Sequence, residues 1–263
     1  MDKIQIENLT LTYTSPGKSY TALENLNLSV KEGEFVCIIG PSGCGKSSLL
    51  SVIEGLNKAS SGKILIDGKE ISGPGKERGI VFQHYSLFPW LTTVGNVVFA
   101  MKQNKIKGKK KQLEAIAKRY LTKVGLEDAF EKYPAELSGG MQQRVAIARV
   151  LAADSSIFLM DEPFGAIDPK NRQELQELIS SLAREEAKTV LFVTHDIEEA
   201  ILLADRIIFI DKHCVQADIE VGIQKPITKA QLIDNERFRT LNSQLMSLFY
   251  RGVAENIGEE VYL

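Results

Sequence analysis

Short apolar runs that end at glycine or at polar residues recur along the chain, and they predict strands buried on both faces. The clearest is Phe35–Ile39, which is apolar throughout and is followed by Gly40. Two similar runs, at 157–160 and 190–193, also end in polar residues. Continuous apolar strands are typical of parallel sheets covered by helices, and such sheets carry their chemistry beyond the carboxyl ends of the strands.

The segments around these runs predict further strands and several helices. The first residues and the stretch 63–68 have the pattern of short strands. After the first glycine loop, four apolar residues fall at helical spacing: Leu49, Val52, Ile53 and Leu56. The region 102–150 reads as mostly helical. We therefore predict an α/β fold in which helices are inserted between the strands of the sheet.

Composition limits the class of protein and the kind of partner. The chain has 263 residues, 44% of them hydrophobic, and a formal net charge of -2, which gives no overall attraction to nucleic acid. An odd set of cysteines without metal-type spacing favours a reducing compartment: Cys37, Cys44 and Cys214. We expect no secretory signal and no membrane span, because no apolar run approaches ~18 residues. Any function at a membrane would then be that of a peripheral protein.

The strongest motif is a phosphate loop at residues 40–47, which matches the pattern G-x-x-x-x-G-K-[ST] in full. Its members, with the following serine, are Gly40, Pro41, Ser42, Gly43, Cys44, Gly45, Lys46, Ser47 and Ser48. Glycines let backbone amides converge on phosphates, and the next helix adds its positive end. We expect Lys46 to reach the β- and γ-phosphates of ATP and Ser47 to ligate Mg²⁺. A chance glycine turn is disfavoured because the motif follows a strand and opens a helix.

Cys44 lies inside this loop, where a small filler is the simplest role. Its place near a helix N-terminus also predicts a lowered thiol pKa. We expect a thiol reagent to inactivate the protein and ATP to protect it.

A second candidate site, formed by two acidic residues, follows the apolar run at 157–160. Asp161 at the strand end is suited to hold Mg²⁺ through water, and Glu162 is suited to be the general base that polarises the attacking water. Such a pair is a weak signal alone and a strong one downstream of a complete phosphate loop.

The stretch 137–144 contains Ser138, Gly139 and Gly140. A helix start with Ser138 as N-cap explains the two glycines poorly. With this stretch the chain resembles the ATP-binding cassette (ABC) family of transporter ATPases, over residues 4–211. The resemblance implies a P-loop NTPase core with a parallel sheet, an antiparallel β subdomain and an inserted helical subdomain.

The resemblance also implies roles for residues across the chain. The signature at 138–142 acts on the ATP of the opposite subunit; its residues are Ser138, Gly139, Gly140, Met141 and Gln142. Gln83 matches the Q-loop glutamine, a Mg²⁺ ligand, and His195 matches the switch histidine at the γ-phosphate. Residues 166–168 resemble the D-loop, with Asp168 at the dimer interface. Tyr13 stands where the family stacks an aromatic ring on adenine, and Tyr20 is the weaker candidate for that role.

Two positions depart from the family pattern. The common fifth signature residue is Gln, whereas this chain has Met141 followed by Gln142, which puts one polar contact in doubt. Ile167 replaces the usual Leu of the D-loop, a change expected to affect packing. A lone His or Tyr after a strand is more often an ordinary polar or packing residue. The roles of His195 and Tyr13 therefore rest on the order and spacing of the full motif set.

The aromatic stretch 84–92 after Gln83 is either core or a docking surface for a partner helix, and it resembles importers of the nitrate, sulfonate and taurine class. A lysine-rich stretch at 102–111 is expected to be exposed to solvent and to lead into a helix. In the tail, Thr228 and Gln231 predict a capping box. Four later residues fall at helical spacing: Phe238, Leu241, Leu245 and Leu248.

Together these features predict the ATP-hydrolysing subunit of a membrane ABC transporter, an importer of a small polar solute. The expected ATPase domain spans 1–230, with a helical subdomain near 86–150 and a short helical extension at 231–263. Expected partners are transmembrane permease subunits, an extracytoplasmic substrate-binding protein and a second ATPase subunit, identical or paralogous. We therefore expect a peripheral protein at the cytoplasmic face of the membrane. We expect no nucleic acid partner. A soluble ABC-type ATPase acting on ribosomes or DNA is the alternative.

Overall fold

The structure is a computed structural model that describes residues 2–83, 85–165 and 167–260, with side chains described as far as residue 250. Its strands are β1 (Asp2–Ser15), β2 (Lys18–Lys31), β3 (Phe35–Ile39), β4 (Ser61–Ile66), β5 (Lys69–Glu70), β6 (Arg78–Val81), β7 (Ile157–Asp161), β8 (Thr189–Val193), β9 (Arg206–Asp211) and β10 (Cys214–Glu220). Its α-helices are α1 (Lys46–Glu54), α2 (Thr93–Gln103), α3 (Lys110–Lys123), α4 (Gly139–Ala152), α5 (Pro169–Glu185), α6 (Ile197–Leu203), α7 (Lys229–Ile233) and α8 (Glu236–Glu260). Two 3₁₀ turns lie between α3 and α4, at Glu127–Ala129 and Pro134–Glu136.

The chain forms two compact units. The first unit consists of Met1–Gly73 with Thr189–Leu263, and the second of Pro74–Lys188. The first unit holds the phosphate loop and His195, and the second holds the acidic strand, the Q-loop, the signature and the D-loop. Among the described residues no helix has both the length and the apolar character needed to cross a bilayer.

The first unit contains an antiparallel sheet and a mostly parallel one. In the antiparallel sheet the strand order is β2, β1, β4, β5. In the other, β3 lies between β8 and β9 and is parallel to both, and β10 pairs antiparallel to β9. All five residues of β3 are buried, as its continuous apolar sequence predicts for a strand covered on both faces.

The second unit pairs β6 with β7 in parallel, with Val81 opposite Met160. Between these strands in the chain lie α2, α3 and α4, which are the predicted helical insertion. Asn96 in α2 is fully buried, and it binds the loop before the helix by accepting from the Phe88 backbone N–H at 2.8 Å. Its amide group also donates to the carbonyls of Phe88, Leu91 and Thr92 at 3.1–3.2 Å.

The structure corrects one local prediction and confirms others. The helical spacing predicts Leu56 on the face of the helix after the phosphate loop, but α1 ends at Glu54 and Leu56 is 59% exposed. Gly55, with a φ of 87°, ends the helix in the left-handed conformation that glycine adopts readily. In the tail, Thr228 caps α7 as predicted, and α8 buries Phe238, Leu241 and Leu245.

Candidate active site

At two positions of the phosphate loop, neighbouring backbone atoms leave no room for any side chain, so only glycine fits. Gly40 has a φ of 152°, and a Cβ atom there would lie 1.9 Å from the Ile210 carbonyl oxygen. Gly45 has a φ of 107°, and its Cβ would lie 2.3 Å from the Ala22 carbonyl oxygen. The loop is therefore wrapped tightly between β2 and β9, which holds its amides in one arrangement.

Lys46 opens α1 from inside this loop. Gly45 at the N-cap has no side chain that could cap the helix, and the positive end of a helix attracts anions. The Lys46 side chain is buried, and its Nζ donates to the carbonyls of Gly40 and Pro41, both at 2.8 Å. A buried ammonium beside the N-terminus of a helix makes this a favourable place for a phosphate.

Two tyrosines on neighbouring strands reach the phosphate loop. Tyr13 and Tyr20 are directly opposite each other in β1 and β2. The Tyr13 hydroxyl donates to Ser48 Oγ at 3.3 Å and accepts from the Asn57 amide at 3.2 Å. The Tyr20 hydroxyl donates to the Gly43 carbonyl at 3.0 Å. Both rings are partly exposed, so the predicted preference for Tyr13 at adenine stays a prediction.

His213 is a neighbour of this site that sequence reasoning missed. Its ring meets Tyr20 edge-on with 5.5 Å between ring centroids, and its Nδ1 lies 3.2 Å from the Ala22 carbonyl oxygen. No local motif surrounds His213, because the contact exists only once β9 and β10 fold back beside β2.

The structure reverses the pKa shift predicted for Cys44. Its side chain is buried, and burial raises the pKa of the thiol, an effect that the Lys46 ammonium only partly offsets. Desolvation of the thiolate outweighs the nearby positive charges. The thiol is therefore less reactive than its place at a helix N-terminus suggested.

His195 is exposed just beyond the end of β8. In the parallel register Ile38 of β3 lies opposite Val193 of β8, so the phosphate loop and His195 leave the sheet at the same edge. Asp196 then caps α6 by accepting from the Glu199 amide at 3.1 Å. The first unit thus brings the predicted phosphate loop and switch histidine to one edge of the sheet, and Tyr13 reaches Ser48 from the antiparallel sheet.

The second unit brings the acidic residues and Gln83 to one edge in the same way. Asp161 ends β7, and Gln83 follows β6, its parallel neighbour. Glu162 has a φ of 44°, a left-handed conformation that costs a non-glycine residue on the order of 1 kcal/mol. A Cβ on Gly165 would lie 3.0 Å from the Gln83 amide nitrogen, so Gln83 packs on the turn that carries Glu162.

The signature forms the start of α4. Ser138 is the N-cap of this helix, and its Oγ accepts from the Met141 amide at 3.3 Å. Gln142 donates its side-chain amide to the carbonyls of Pro134 and Leu137 at 3.1 and 3.2 Å. Gln142 therefore steadies the turn before the helix, while Gly139 and Gly140 lie in the first turn, whose amides lack intrahelical acceptors.

In the D-loop, Asp168 is the N-cap of α5 and accepts from the Asn171 backbone amide at 3.2 Å and its side-chain amide at 2.6 Å. These hydrogen bonds lower the pKa of the Asp168 carboxyl. Ile167 is buried. Ala166 of the D-loop and His84 of the aromatic stretch lie outside the described residues.

The aromatic loop (residues 88–92) lies largely on the surface. Trp90 is 70% exposed, and its ring centroid lies 5.5 Å from that of Phe88. Phe88 in turn contacts Phe99 of α2, with the ring centroids 4.6 Å apart. Of the two predicted roles, core or docking surface, this exposure favours a docking surface.

The chain is similar to known proteins over most of its length. A family model described as ABC transporter matches residues 23–165. An uncharacterised ABC transporter ATP-binding protein of Methanocaldococcus jannaschii is 48% identical over 224 residues, 83% of each chain. The chain belongs to the ABC transporter family. As an ABC ATPase it hydrolyses ATP for transport, which confirms the predicted activity and the preference for a transporter over an ATPase of ribosomes or DNA.

Two other relatives of this ABC ATPase align along nearly its whole length. The bicarbonate transport ATP-binding protein CmpD of Synechocystis sp. is 39% identical over 96% of this chain and 91% of its own. The nitrate import ATP-binding protein NrtD of Synechococcus elongatus is 38% identical over 93% and 90%. A solved dimeric structure of the ABC transporter cassette MJ0796 matches with a TM-score of 0.76 and 37% identity, covering 84% of this chain and 100% of that one. These likenesses confirm the predicted fold class.

Proposed function

We propose that this ABC ATPase powers an importer of a small polar solute of the nitrate, sulfonate and taurine type. The alignment with nitrate and bicarbonate transport ATPases over more than 90% of the chain supports this class of cargo. The aromatic run around Trp90 supports it independently, since it has the form found in that group of importers. Cargo itself is chosen by partner subunits, so the ATPase contributes energy.

The observation that carries the ATPase roles is the phosphate loop with its buried lysine. In the proposed mechanism the loop amides and Lys46 bind the β- and γ-phosphates, and Tyr13 stacks on adenine. Glu162 orients and deprotonates the attacking water, and His195 holds the γ-phosphate. The phosphate loop, Glu162 and His195 each follow the carboxyl end of a strand in a parallel pair, where open α/β sheets bind ligands.

Magnesium fits the donors that the chain offers. Ser47 and Gln83 are exposed residues that carry a hydroxyl and an amide oxygen, and half-buried Asp161 carries a carboxylate. Hard oxygen ligands of this kind suit Mg²⁺, which keeps several waters and binds phosphate oxygens beside one or two protein groups. When bound, the ion neutralises charge that develops on the phosphates. In our proposal Ser47 and Gln83 are ligands, and Asp161 acts through water.

We further propose that two copies, or this chain and a paralogue, assemble head to tail. Each ATP then lies between one phosphate loop and the other subunit's signature at 138–142, with Asp168 at the interface. ATP favours the closed dimer and product release favours opening, which drives alternating access in the membrane subunits.

The proposed partners are transmembrane permease subunits docked on the aromatic loop and an extracytoplasmic substrate-binding protein. The ATPase would then be a peripheral protein on the cytoplasmic face of the membrane. We assign residues 1–230 to the ATPase domain, its helical subdomain to about 86–150, and 231–263 to an extension.

Glu162→Gln tests the catalytic assignment. The variant keeps the shape of the side chain and one acceptor oxygen but lacks the basic carboxylate. It should bind ATP with the affinity of the parent, lose turnover by at least about 100-fold, as removal of a general base predicts, and accumulate as an ATP-bound dimer. Hydrolysis near the parental rate would remove Glu162 from the role of base.

The cargo is tested on the complex purified from the native membrane with a tagged ATPase. Mass spectrometry identifies the permease and extracytoplasmic subunits, and the latter is titrated with nitrate, bicarbonate, sulfonates and taurine. Binding of one of these solutes, together with stimulation of ATP hydrolysis by the loaded binding protein, is the expected result. A complex without an extracytoplasmic subunit would contradict the importer assignment.

A further inference from the structure

Two side chains flank the paired glycines at the start of α4, and each comes from a neighbouring motif. A Cβ atom placed on Gly139 would lie 2.6 Å from the Tyr85 hydroxyl oxygen. A Cβ atom on Gly140 would lie 3.6 Å from both Cβ and Cγ of Asn171. Tyr85 follows the Q-loop glutamine by two positions, and Asn171 is in the first turn of α5, after the D-loop. The signature is therefore packed between the Q-loop and the D-loop of its own subunit.

The segment that carries Tyr85 is tied to α4 at a second point. Ser86, with a φ of 47°, places its carbonyl oxygen 2.7 Å from Nη1 of Arg149, which donates to it. Arg149 is half-buried, and this burial lowers the pKa of its guanidinium. Gly139 and Arg149 are ten residues apart on one helix, about 15 Å along its axis. A movement of this segment would therefore act on most of the length of α4.

Asn171 is held on the other side by the D-loop. Its side-chain amide donates to Asp168 Oδ2 at 2.6 Å, and its backbone amide donates to Asp168 Oδ1 at 3.2 Å. The Asp168 carboxylate thus fixes the direction of the Asn171 side chain that packs on Gly140. A change at Asp168 reaches the second signature glycine through one side chain.

We propose that Tyr85 and Asn171 are positioning residues that hold the signature glycines in place and couple them to the Q-loop and the D-loop. Glycine has the most mobile backbone of any residue, so two adjacent glycines need packing from outside to present their amides in one geometry. A site that binds a phosphate needs its donors held to within roughly 0.5 Å. The inference rests on the proposed function, in which the signature closes over the ATP of a second subunit.

The test measures ATP-driven dimerisation in the Glu162→Gln background, by light scattering over a range of ATP concentrations. Tyr85→Ala and Asn171→Ala should each raise the ATP concentration for half-maximal dimerisation by about 10-fold, the size expected for misplaced groups in a site. Tyr85→Phe keeps the ring and should raise it by less than about 3-fold. ATP affinity of the monomer, measured with a fluorescent analogue, should be unchanged, because the phosphate loop is intact.

Tyr133→Ala and Gln173→Ala are the matched controls, since both side chains are exposed in the same unit and Gln173 is also in α5. They should dimerise like the parent. Dimerisation of Tyr85→Ala and Asn171→Ala at the parental ATP concentration would overturn the inference, and so would an equal loss of monomer ATP affinity. Ser138→Arg in the same background tests the proposed function separately. If it also dimerises normally, the signature is not the dimer contact; if it alone fails, only the positioning role is refuted.

Discussion

Gly45→Ala tests whether the phosphate loop depends on a backbone that excludes side chains. The new methyl group would lie 2.3 Å from the Ala22 carbonyl oxygen and 2.8 Å from Leu23 Cδ2. Since Cβ atoms essentially never approach another atom within 3.0 Å, β2 and the loop must separate by at least about 0.7 Å. The residue must also keep a φ of 107°, which costs alanine roughly 1–2 kcal/mol.

These two effects differ in what they change. Backbone strain lowers the free energy of unfolding, whereas displacement of the loop moves the amides that bind phosphate. A misplacement of about 1 Å in a site can cost on the order of 100-fold. We therefore expect Gly45→Ala to weaken ATP binding by at least about 10-fold, and to lower the unfolding free energy by about 3 kcal/mol once strain and displacement are combined.

Gly68→Ala is the matched control. Gly68 has a φ of 71°, and a Cβ atom there would meet nothing within 4 Å. This variant should lose roughly 1 kcal/mol of stability from strain alone and bind ATP like the parent. Urea unfolding and calorimetric titration with ATP measure both quantities. Equal effects of the two substitutions on ATP affinity would refute the argument from close contact.

Three further outcomes are expected. Burial raises the pKa of Cys44, so little thiolate is present below that pKa. Iodoacetamide should therefore label Cys44 more slowly than half-buried Cys214. Labelling of Cys44 should become faster as the pH rises and slower when ATP is bound. Equal labelling of both thiols at pH 7, read by mass spectrometry, would count against this. Asn96→Ala should lower the unfolding free energy by about 2–4 kcal/mol, since it removes the hydrogen bonds between a fully buried side chain and the loop before α2; a urea midpoint equal to the parent's would be inconsistent with that role. Trp90→Ala should change stability by less than about 0.5 kcal/mol yet reduce recovery of permease subunits in pull-downs, whereas full recovery would argue against docking there.

The parts of the site that local sequence could predict are those built from consecutive residues. The phosphate loop needs glycines next to a lysine, and the Ser138 cap bonds to an amide three residues later. Both patterns can therefore be recognised from residues that are close together in the sequence. The strands β3, β7 and β8 were predicted for the same reason, because continuous apolar runs have few other structures open to them.

Contacts between distant segments were beyond that reasoning. Tyr85 lies beside Gly139, 54 residues further along the chain, and His213 meets Tyr20 only after β10 folds against β9. The sign of the Cys44 pKa shift failed for a related reason. A helix N-terminus is visible in the sequence, but burial of the thiol is a property of the folded unit, and desolvation was the larger effect.

Mixing two inactive variants tests the central claim that each ATP is hydrolysed between the phosphate loop of one subunit and the signature of another. Lys46→Ala removes the loop lysine, and Ser138→Arg obstructs the signature. In a head-to-tail dimer of the two, one site is intact. With random pairing, an equal mixture should therefore recover about a quarter of the parental ATPase rate, while each variant alone stays near background. A mixture that remains at background, or a Ser138→Arg variant that is active alone, would contradict the account.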